Sequence, residues 1–523
     1  MFRKFKITKE ISLIIFIFLF GFLVRLWSVL PANTIIGYDQ ARDLWSATTI
    51  FRDFDIHIVG PTAGNNPNLH HGVAFWYYMI IPLIVFHGNP VGVVIWNSVF
   101  SAGVVIVLYF LGKDLFKSKK VGVIAAIVGS CSYLLVEFSG WLSNPTATVF
   151  TVPVFFYGLW KYHEQSLASS AGEGKKWGLP LAFLFLGLSI EFELFFIYLI
   201  PVGILLFLLL RIALPDLKTF LLSIFLFCLA TSSMIATEFK FNFAGVKSIF
   251  GAGSLVGAGK SPFFSLIVDY LKRFDSFYLN YSPGFPLLGS IVAISIIIIL
   301  IYEIVRNLRN KKLRDRFVFL FVYIFSPMTM LVLGAHNAPW FLVGRPASVI
   351  LGLSYLLSKI KSKFLLVPVI AFVIVTNLLA IKGDLGKGQK LLEPDSSAIM
   401  SDQLKAVDYT YQESGGQGFS VNSLTNPLYI NALWGYHYYW YGRQTYGYLP
   451  TWSGGDQLYP YDSLAKPDGK EKYLYLLIDT TFRIPPQYRN EIINWANKKS
   501  SLVEEKTFGG IEVQKRIVEE NLN

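Results

Sequence analysis

Two stretches near the N-terminal end hold residues suited to acid–base chemistry. One is Tyr38-Asp39-Gln40-Ala41-Arg42-Asp43; the other is His70-His71-Gly72, running into Val73-Ala74-Phe75-Trp76-Tyr77-Tyr78. Asp39 and Asp43 are four apart, so a helix puts them on one face, and Arg42 beside them can hold one carboxylate ionised. A carboxylate kept ionised just outside a membrane can take a proton from an acceptor hydroxyl, an effect worth ~10²–10⁴-fold in rate. The plain alternative is a solvated loop ion pair. His70 and His71 are adjacent, so their side chains diverge on a helix, and no third histidine lies nearby. Hydrogen bonding to substrate or helix capping suits them better than metal ligation with Asp39. No cofactor is expected, and a divalent metal near Asp39 stays open.

Further along, Glu137 stands with Trp141 and Asn144-Pro145 where an apolar run reaches its outer end. An ionisable group costs ~2.5–3.5 kcal/mol at bilayer depth and less near the interface, which favours a positioning role for Glu137 and Asn144. Arg345 closes the loop Gly334-Ala335-His336-Asn337-Ala338-Pro339-Trp340-Phe341-Leu342-Val343-Gly344. An arginine there can clamp a lipid phosphate with paired hydrogen bonds, with His336 beside it; snorkelling to anionic headgroups is the alternative. Lys240, Lys272 and Arg273 are weaker phosphate candidates. Glu191 and Glu193 read as a hairpin turn. The glycine-rich stretch 251–260 lacks the strand–helix setting of a nucleotide loop and reads as a flexible, substrate-gating segment.

The elements that must position these residues are membrane helices. Over 523 residues the chain is 53% hydrophobic and 15% charged, with a mean hydropathy of +0.49, which excludes a soluble globular protein. The net charge of +12 is gathered in short basic clusters between apolar runs, the pattern of cytoplasmic loops and not of a nucleic-acid surface. Cys131 and Cys228 lie within apolar runs and offer neither a disulfide framework nor a zinc site. The first apolar run meets Arg25-Leu26-Trp27 with no small-residue cleavage site, so it reads as a retained span.

Eleven spans are expected, near 11–30, 92–112, 121–138, 146–160, 178–190, 194–210, 219–236, 284–305, 317–334, 346–357 and 364–381. The apolar stretch 73–86 is too short and too aromatic for an upright span and reads as a juxtamembrane helix on the outer face. This assignment puts the N-terminus and the basic clusters in the cytoplasm of a bacterial-type plasma membrane protein. The Asp39 loop and the tail then lie outside. The fold class is thus a membrane all-α domain over 1–381, with its first external loop at 31–91, and a small extracytoplasmic α/β domain over 382–523. In the tail, 399–412 and 485–499 read as helices, Phe419-Ser420-Val421 and Tyr473–Asp479 as strands, and 502–515 as a closing hairpin. Its aromatic stretches, Tyr436–Tyr441 and Tyr446–Trp452, suit either stacking on sugar rings or a belt resting on the membrane.

The acidic loop after the first span, the helix opening on His-Gly, and the segment LVEFSGWLSNPT at 135–146 together resemble the GT-C glycosyltransferases. Within them the bacterial protein mannosyltransferase-like and aminoarabinose-transferase-like group is most similar. The resemblance covers roughly 1–380 and is best over 35–160. It implies a GT-C-like bundle with external juxtamembrane helices and Asp39 as the base that activates the acceptor. It also implies an inverting transfer from a polyprenyl-phosphate sugar donor to a glycan, lipid or protein acceptor. The chain departs from the family pattern at Val73, where His-Gly is usually followed by proline, and at Glu191-Phe192-Glu193, where a hydroxyl-bearing or basic residue is usual. A lipid flippase or polysaccharide transporter is the rival class. It would need charges inside its spans, and 92–112, 219–236, 287–302 and 364–381 carry none. A scaffold whose tail binds cell-wall glycans would leave the charged first loop without a purpose.

Overall fold

The computed structural model describes residues 8–518 except 31–33, 65, 169–175, 252–263, 266–267, 269–285, 333–338, 390–394 and 482. The chain opens on α1 (Lys9–Val29), followed by two helices of the first loop, α2 (Tyr38–Arg52) and α3 (Ala74–Val85). The bundle continues through α4 (Pro90–Phe116), α5 (Lys119–Cys131), α6 (Tyr133–Ser139), α7 (Thr148–Ala168), α8 (Gly178–Phe192), α9 (Leu199–Leu210), α10 (Leu217–Ala230) and α11 (Ser232–Lys240). It closes with α12 (Pro286–Arg306), α13 (Lys311–Phe325), α14 (Pro346–Ser358) and α15 (Lys363–Asp384). Among the described residues four helices are long and apolar enough to cross a membrane, or six if the bent pairs α5–α6 (52°) and α10–α11 (68°) each count as one span. The remaining expected spans fall on shorter or more polar helices. The 12 residues of α3 rise about 18 Å, well short of a bilayer core of about 30 Å, and its Ile81, Ile84 and Val85 are exposed.

Local chemistry sets the helix ends. The Asn89 side chain accepts from the Val91 N–H and Pro90 supplies the first turn of α4, which stops at Lys117 in a left-handed conformation. Gly37 caps α2, and the Gln40 side chain reaches back to accept from the Gly37 N–H at 2.9 Å. Asp39 thereby falls in the first helical turn, where a negative charge opposes the helix dipole favourably.

The tail carries α16 (Met400–Ser414), α17 (Ala432–His437) and α18 (Pro486–Asn497) around a five-stranded sheet. The strands are β1 (Phe419–Leu424), β2 (Thr451–Trp452), β3 (Tyr473–Asp479), β4 (Ser500–Phe508) and β5 (Ile511–Val518), in the order β2-β1-β3-β5-β4. β1 pairs in parallel with β2 and β3, while β5 runs antiparallel to both β3 and β4. The two-residue period of β3 divides its side chains between two cores. Tyr475 and Leu477 pack with Val407 and Tyr411 of α16, whereas Leu476 and Ile478 pack with Ala496 of α18.

Tail and first loop share one apolar cluster, in which Trp45, Phe75 and Trp76 meet Met400, Ala432, Tyr436 and Trp440. Trp45 is fully buried, donates its indole N–H to the Ala432 carbonyl at 2.9 Å, and meets the Tyr436 ring edge-on at 5.4 Å. Tyr436 in turn donates to the Gly88 carbonyl at 2.8 Å. Backbone bonds from Ile36 to Ala398 (2.7 Å) and from Met400 to Thr34 (3.0 Å) stitch the same seam. This corrects the expectation for the aromatic stretches. Tyr436, Tyr438 and Trp440 are buried in the seam or the tail core, and Tyr446 stacks on Tyr411 at 4.2 Å, so these rings form neither a sugar platform nor a membrane belt.

Candidate active site

The first turn of α2 delivers three charges to one place. Asp39 has a side chain 67% exposed, and Arg42 donates to it at 2.8 Å. The same guanidinium donates through Nε and Nη2 to Asp43 Oδ1, both at 2.9 Å. Asp43 faces inward on the helix and is buried, and the Trp76 indole N–H of α3 donates to the same oxygen at 2.9 Å. Burial pushes the Asp43 carboxyl above the usual carboxylate range, against the pull of Arg42 and Trp76. Burial also works against the charge of Arg42, but the two carboxylates more than offset it, so Arg42 stays cationic. The outcome is one exposed carboxylate held by an arginine that a buried second carboxylate fixes in position.

Asp39 opens onto a cavity of about 360 Å³ between the first loop and the tail. Gln40, Trp141 and Trp340 line it from the bundle side, and Asn426, Asp395, Asp479 and Arg483 from the tail. Arg483 and Asp395 form an ion pair at 3.4 Å, and burial pushes the Asp479 carboxyl up. The walls therefore offer carboxylates, amides and two indoles, a set fitted to hydroxyl-rich ligands.

A second cluster adjoins the first, since His71 feels the charge of Arg42. His71 Nδ1 accepts from the Leu194 N–H at 3.3 Å and lies 3.3 Å from Glu193 Oε1. Asn144 Nδ2 donates to Glu193 Oε2 at 3.0 Å and to the Phe192 carbonyl at 2.8 Å. Burial pushes His71 down to about 3, and pushes Glu193 up to about 8 against the Phe195 N–H and Asn144. Near neutral pH both are uncharged, and the Glu193 proton can be shared with Nδ1. Beside them the Gly72 N–H donates to the Glu191 carbonyl at 3.0 Å, and the Glu191 carboxylate accepts from Ser233. A Cβ on Gly72 would overlap the Glu191 carboxyl group, so only glycine fits there. Glu191 and Glu193 are thus not a bland turn. Both are buried and organise the His71 loop. Their signal in the sequence was two acids at the end of an otherwise apolar run.

The other expected residues lie elsewhere. His70 stacks on Phe241 at 5.3 Å, and burial lowers its basicity. Glu137 is buried in α6, one turn after Tyr133, which donates to Asp384 at 2.6 Å. Arg345 is buried at the start of α14, away from the headgroup exposure expected of it, and its carbonyl accepts from Ser348 at 2.8 Å. Neither Glu137 nor Arg345 lines the Asp39 cavity; their neighbours Trp141 and Trp340 do. Lys240 is exposed at the end of α11, over the Phe241 ring at 5.7 Å. His336, Lys272, Arg273 and the stretch 252–260 lie outside the described residues. No group of three or more metal-ligating side chains occurs among the described residues.

No protein-family model matches the sequence, and no curated protein matches it. Solved structures do match. ArnT from Cupriavidus metallidurans bound to undecaprenyl phosphate superposes with a TM-score of 0.60 at 10% identity, over 96% of this chain and 98% of that one. The fold is that of this ArnT. The apo state of the same ArnT gives 0.60 at 9% identity, over 97% and 98% of the two chains. A looser likeness, at a TM-score of 0.49 and 12% identity, is to the oligosaccharyltransferase AglB from Archaeoglobus fulgidus in complex with an inhibitory peptide and a dolichol-phosphate. The shared fold includes the tail, because the ArnT match runs over nearly the whole of both chains.

Proposed function

We propose that this protein is a membrane glycosyltransferase that moves a sugar from a polyprenyl-phosphate donor to an acceptor hydroxyl on the extracytoplasmic face. The observation that carries the reading is Asp39, an exposed carboxylate held by Arg42 at the mouth of a cavity lined with carboxylates, amides and indoles. The GT-C fold supports it, as does the undecaprenyl phosphate bound to the ArnT of like fold. In the reaction, Asp39 takes the proton of the acceptor hydroxyl while the acceptor oxygen forms its bond to the sugar C1. The bond from C1 to the phosphate oxygen breaks on the opposite face, so configuration inverts and polyprenyl phosphate departs with the electron pair. Its charge grows from one to two as it leaves, and Arg42, which holds Asp39, and Arg483, which lines the same cavity, are cations placed to balance it. Asp43 and Trp76 act as positioning residues for Arg42. The His71–Glu193 pair and Asn144 hold the His71 loop together.

The test uses purified protein in nanodiscs with a panel of polyprenyl-phosphate monosaccharides, following sugar transfer and release. A donor-specific signal that falls ~10²–10⁴-fold in Asp39→Asn supports Asp39 as the base. An Asp39→Asn variant as active as the wild type refutes it.

A further inference from the structure

A second cavity, of about 390 Å³, lies at the carboxyl end of β1, between the loop that follows it, residues 453–455 after β2, and α18. In sheets with parallel strands this is where ligands collect, outside the carboxyl ends where the chain turns to different neighbours. Its walls present Tyr429, Tyr488 and Trp495 together with Asn422, Glu491 and Lys499. Tyr429 is the telling residue. Its backbone has a φ of 67°, a left-handed conformation that disfavours a bulky side chain. Its ring is 63% exposed, so the strain is not offset by burial in the core. The phenol instead stands over the cavity and donates to Glu491 Oε1 at 3.4 Å. Across from it, the Lys499 ammonium sits 5.0 Å from the centre of the Trp495 ring.

We infer that this cavity binds a stretch of neutral glycan. Exposed aromatic faces pack on the C–H faces of pyranose rings, and carboxylate and amide groups pair with sugar hydroxyls. Glu491 and Lys499 offset each other's charge, so nothing here selects for a phosphate or a polyanion. The cavity is also connected to the Asp39 site by the chain itself. In the loop leaving β1, Thr425, Asn426 and Pro427 line the Asp39 cavity, and Tyr429 lines this one. If the transferase reading above holds, on which this second step rests, the cavity grips the distal sugars of a glycan acceptor whose end reaches Asp39.

The binding test is independent of transfer. Full-length protein in nanodiscs is titrated with neutral hexaoses of glucose, mannose and N-acetylglucosamine, reading tryptophan fluorescence and saturation-transfer NMR. At least one hexaose binds saturably, and Trp495→Ala and Tyr429→Asn each weaken it by about three- to tenfold. Asparagine tolerates the left-handed conformation, so Tyr429→Asn keeps the fold if Trp495→Ala does not. Asp39→Asn weakens this affinity by less than either tail variant. Absence of saturable binding by every hexaose overturns the inference, as does undiminished binding by both tail variants. Loss of binding in Asp39→Asn also overturns it, by moving the sugar to the other cavity. Binding that survives while no donor turns over would instead refute the transferase reading alone.

Discussion

Replacing Glu193 by glutamine separates two descriptions of the His71 loop: a neutral pair or a buried ion pair. The Glu193 carboxyl is raised by burial from 4.5 to about 8, so its folded-state value lies above its unfolded one. Such a group contributes stability that is complete below pH 4.5 and is lost as pH rises toward 8. At about 1.4 kcal/mol per unit, keeping Glu193 protonated costs the wild type about 3 kcal/mol at pH 7 and close to nothing at pH 4. Glutamine carries no such cost. Its amide can donate to His71 Nδ1 from the position of Oε1 and accept from Asn144 at that of Oε2, giving up only the long 3.5 Å bond that Oε1 accepts from the Phe195 N–H. Glu193→Gln is therefore expected to be more stable than the wild type at pH 7 by up to about 3 kcal/mol, and the gain should shrink to zero near pH 4.5. Thermal unfolding in detergent between pH 4 and 8.5 reads the difference, with Glu193→Ala as the control that loses both bonds. A glutamine variant that is less stable at pH 7 and 8, or a difference that does not change with pH, would mean that Glu193 is ionised against a charged His71 and that the reasoning is wrong.

Four other outcomes are expected. Asp43→Asn leaves Arg42 without its buried partner and should cost about 3–5 kcal/mol, while Trp76→Phe, which removes one bond to the same carboxylate, should cost about 1–3, both read by thermal unfolding. Gly72→Ala should fail to fold normally, because the added methyl overlaps the Glu191 carboxyl group; yield and monodispersity after purification report it. Trp45→Ala should cost about 3–5 kcal/mol and open the seam between first loop and tail, so limited proteolysis should cut near 385–400 sooner than in the wild type. Arg345→Gln should raise the KM for donor more than Arg345→Lys if it holds phosphate; equal loss of folded protein in both would make it a purely structural residue.

The sequence made the helical elements legible because apolar runs and their basic punctuation act over a local scale. The short, aromatic stretch 73–86 was readable as a helix too short for an upright span for the same reason. Alternation and turn residues gave β1, β3 and the β4–β5 hairpin, but the two residues of β2 are too few to show a period. What stayed hidden depends on partners remote in the chain. Glu193 looked like a turn residue because its partner, His71, lies more than a hundred positions earlier. Tyr436 and Trp440 looked like surface rings because composition cannot tell a docking seam from a platform. Arg345 was placed at headgroup level by hydropathy alone, whereas packing buries it. Asp39, Arg42 and Asp43 came together as their spacing required, because all three sit on one helix.

The Trp45–Ala432 bond also sets a timetable for biogenesis. The two residues are 387 positions apart, so a ribosome adding about 5–20 residues per second makes the indole's cover roughly 20–80 s after the indole itself. Throughout that interval the apolar side of α2 is bare, and the seam closes only when the last quarter of the chain has been made. A nascent chain stalled before Ala432 should therefore display an uncovered apolar surface that quality-control proteases can recognise.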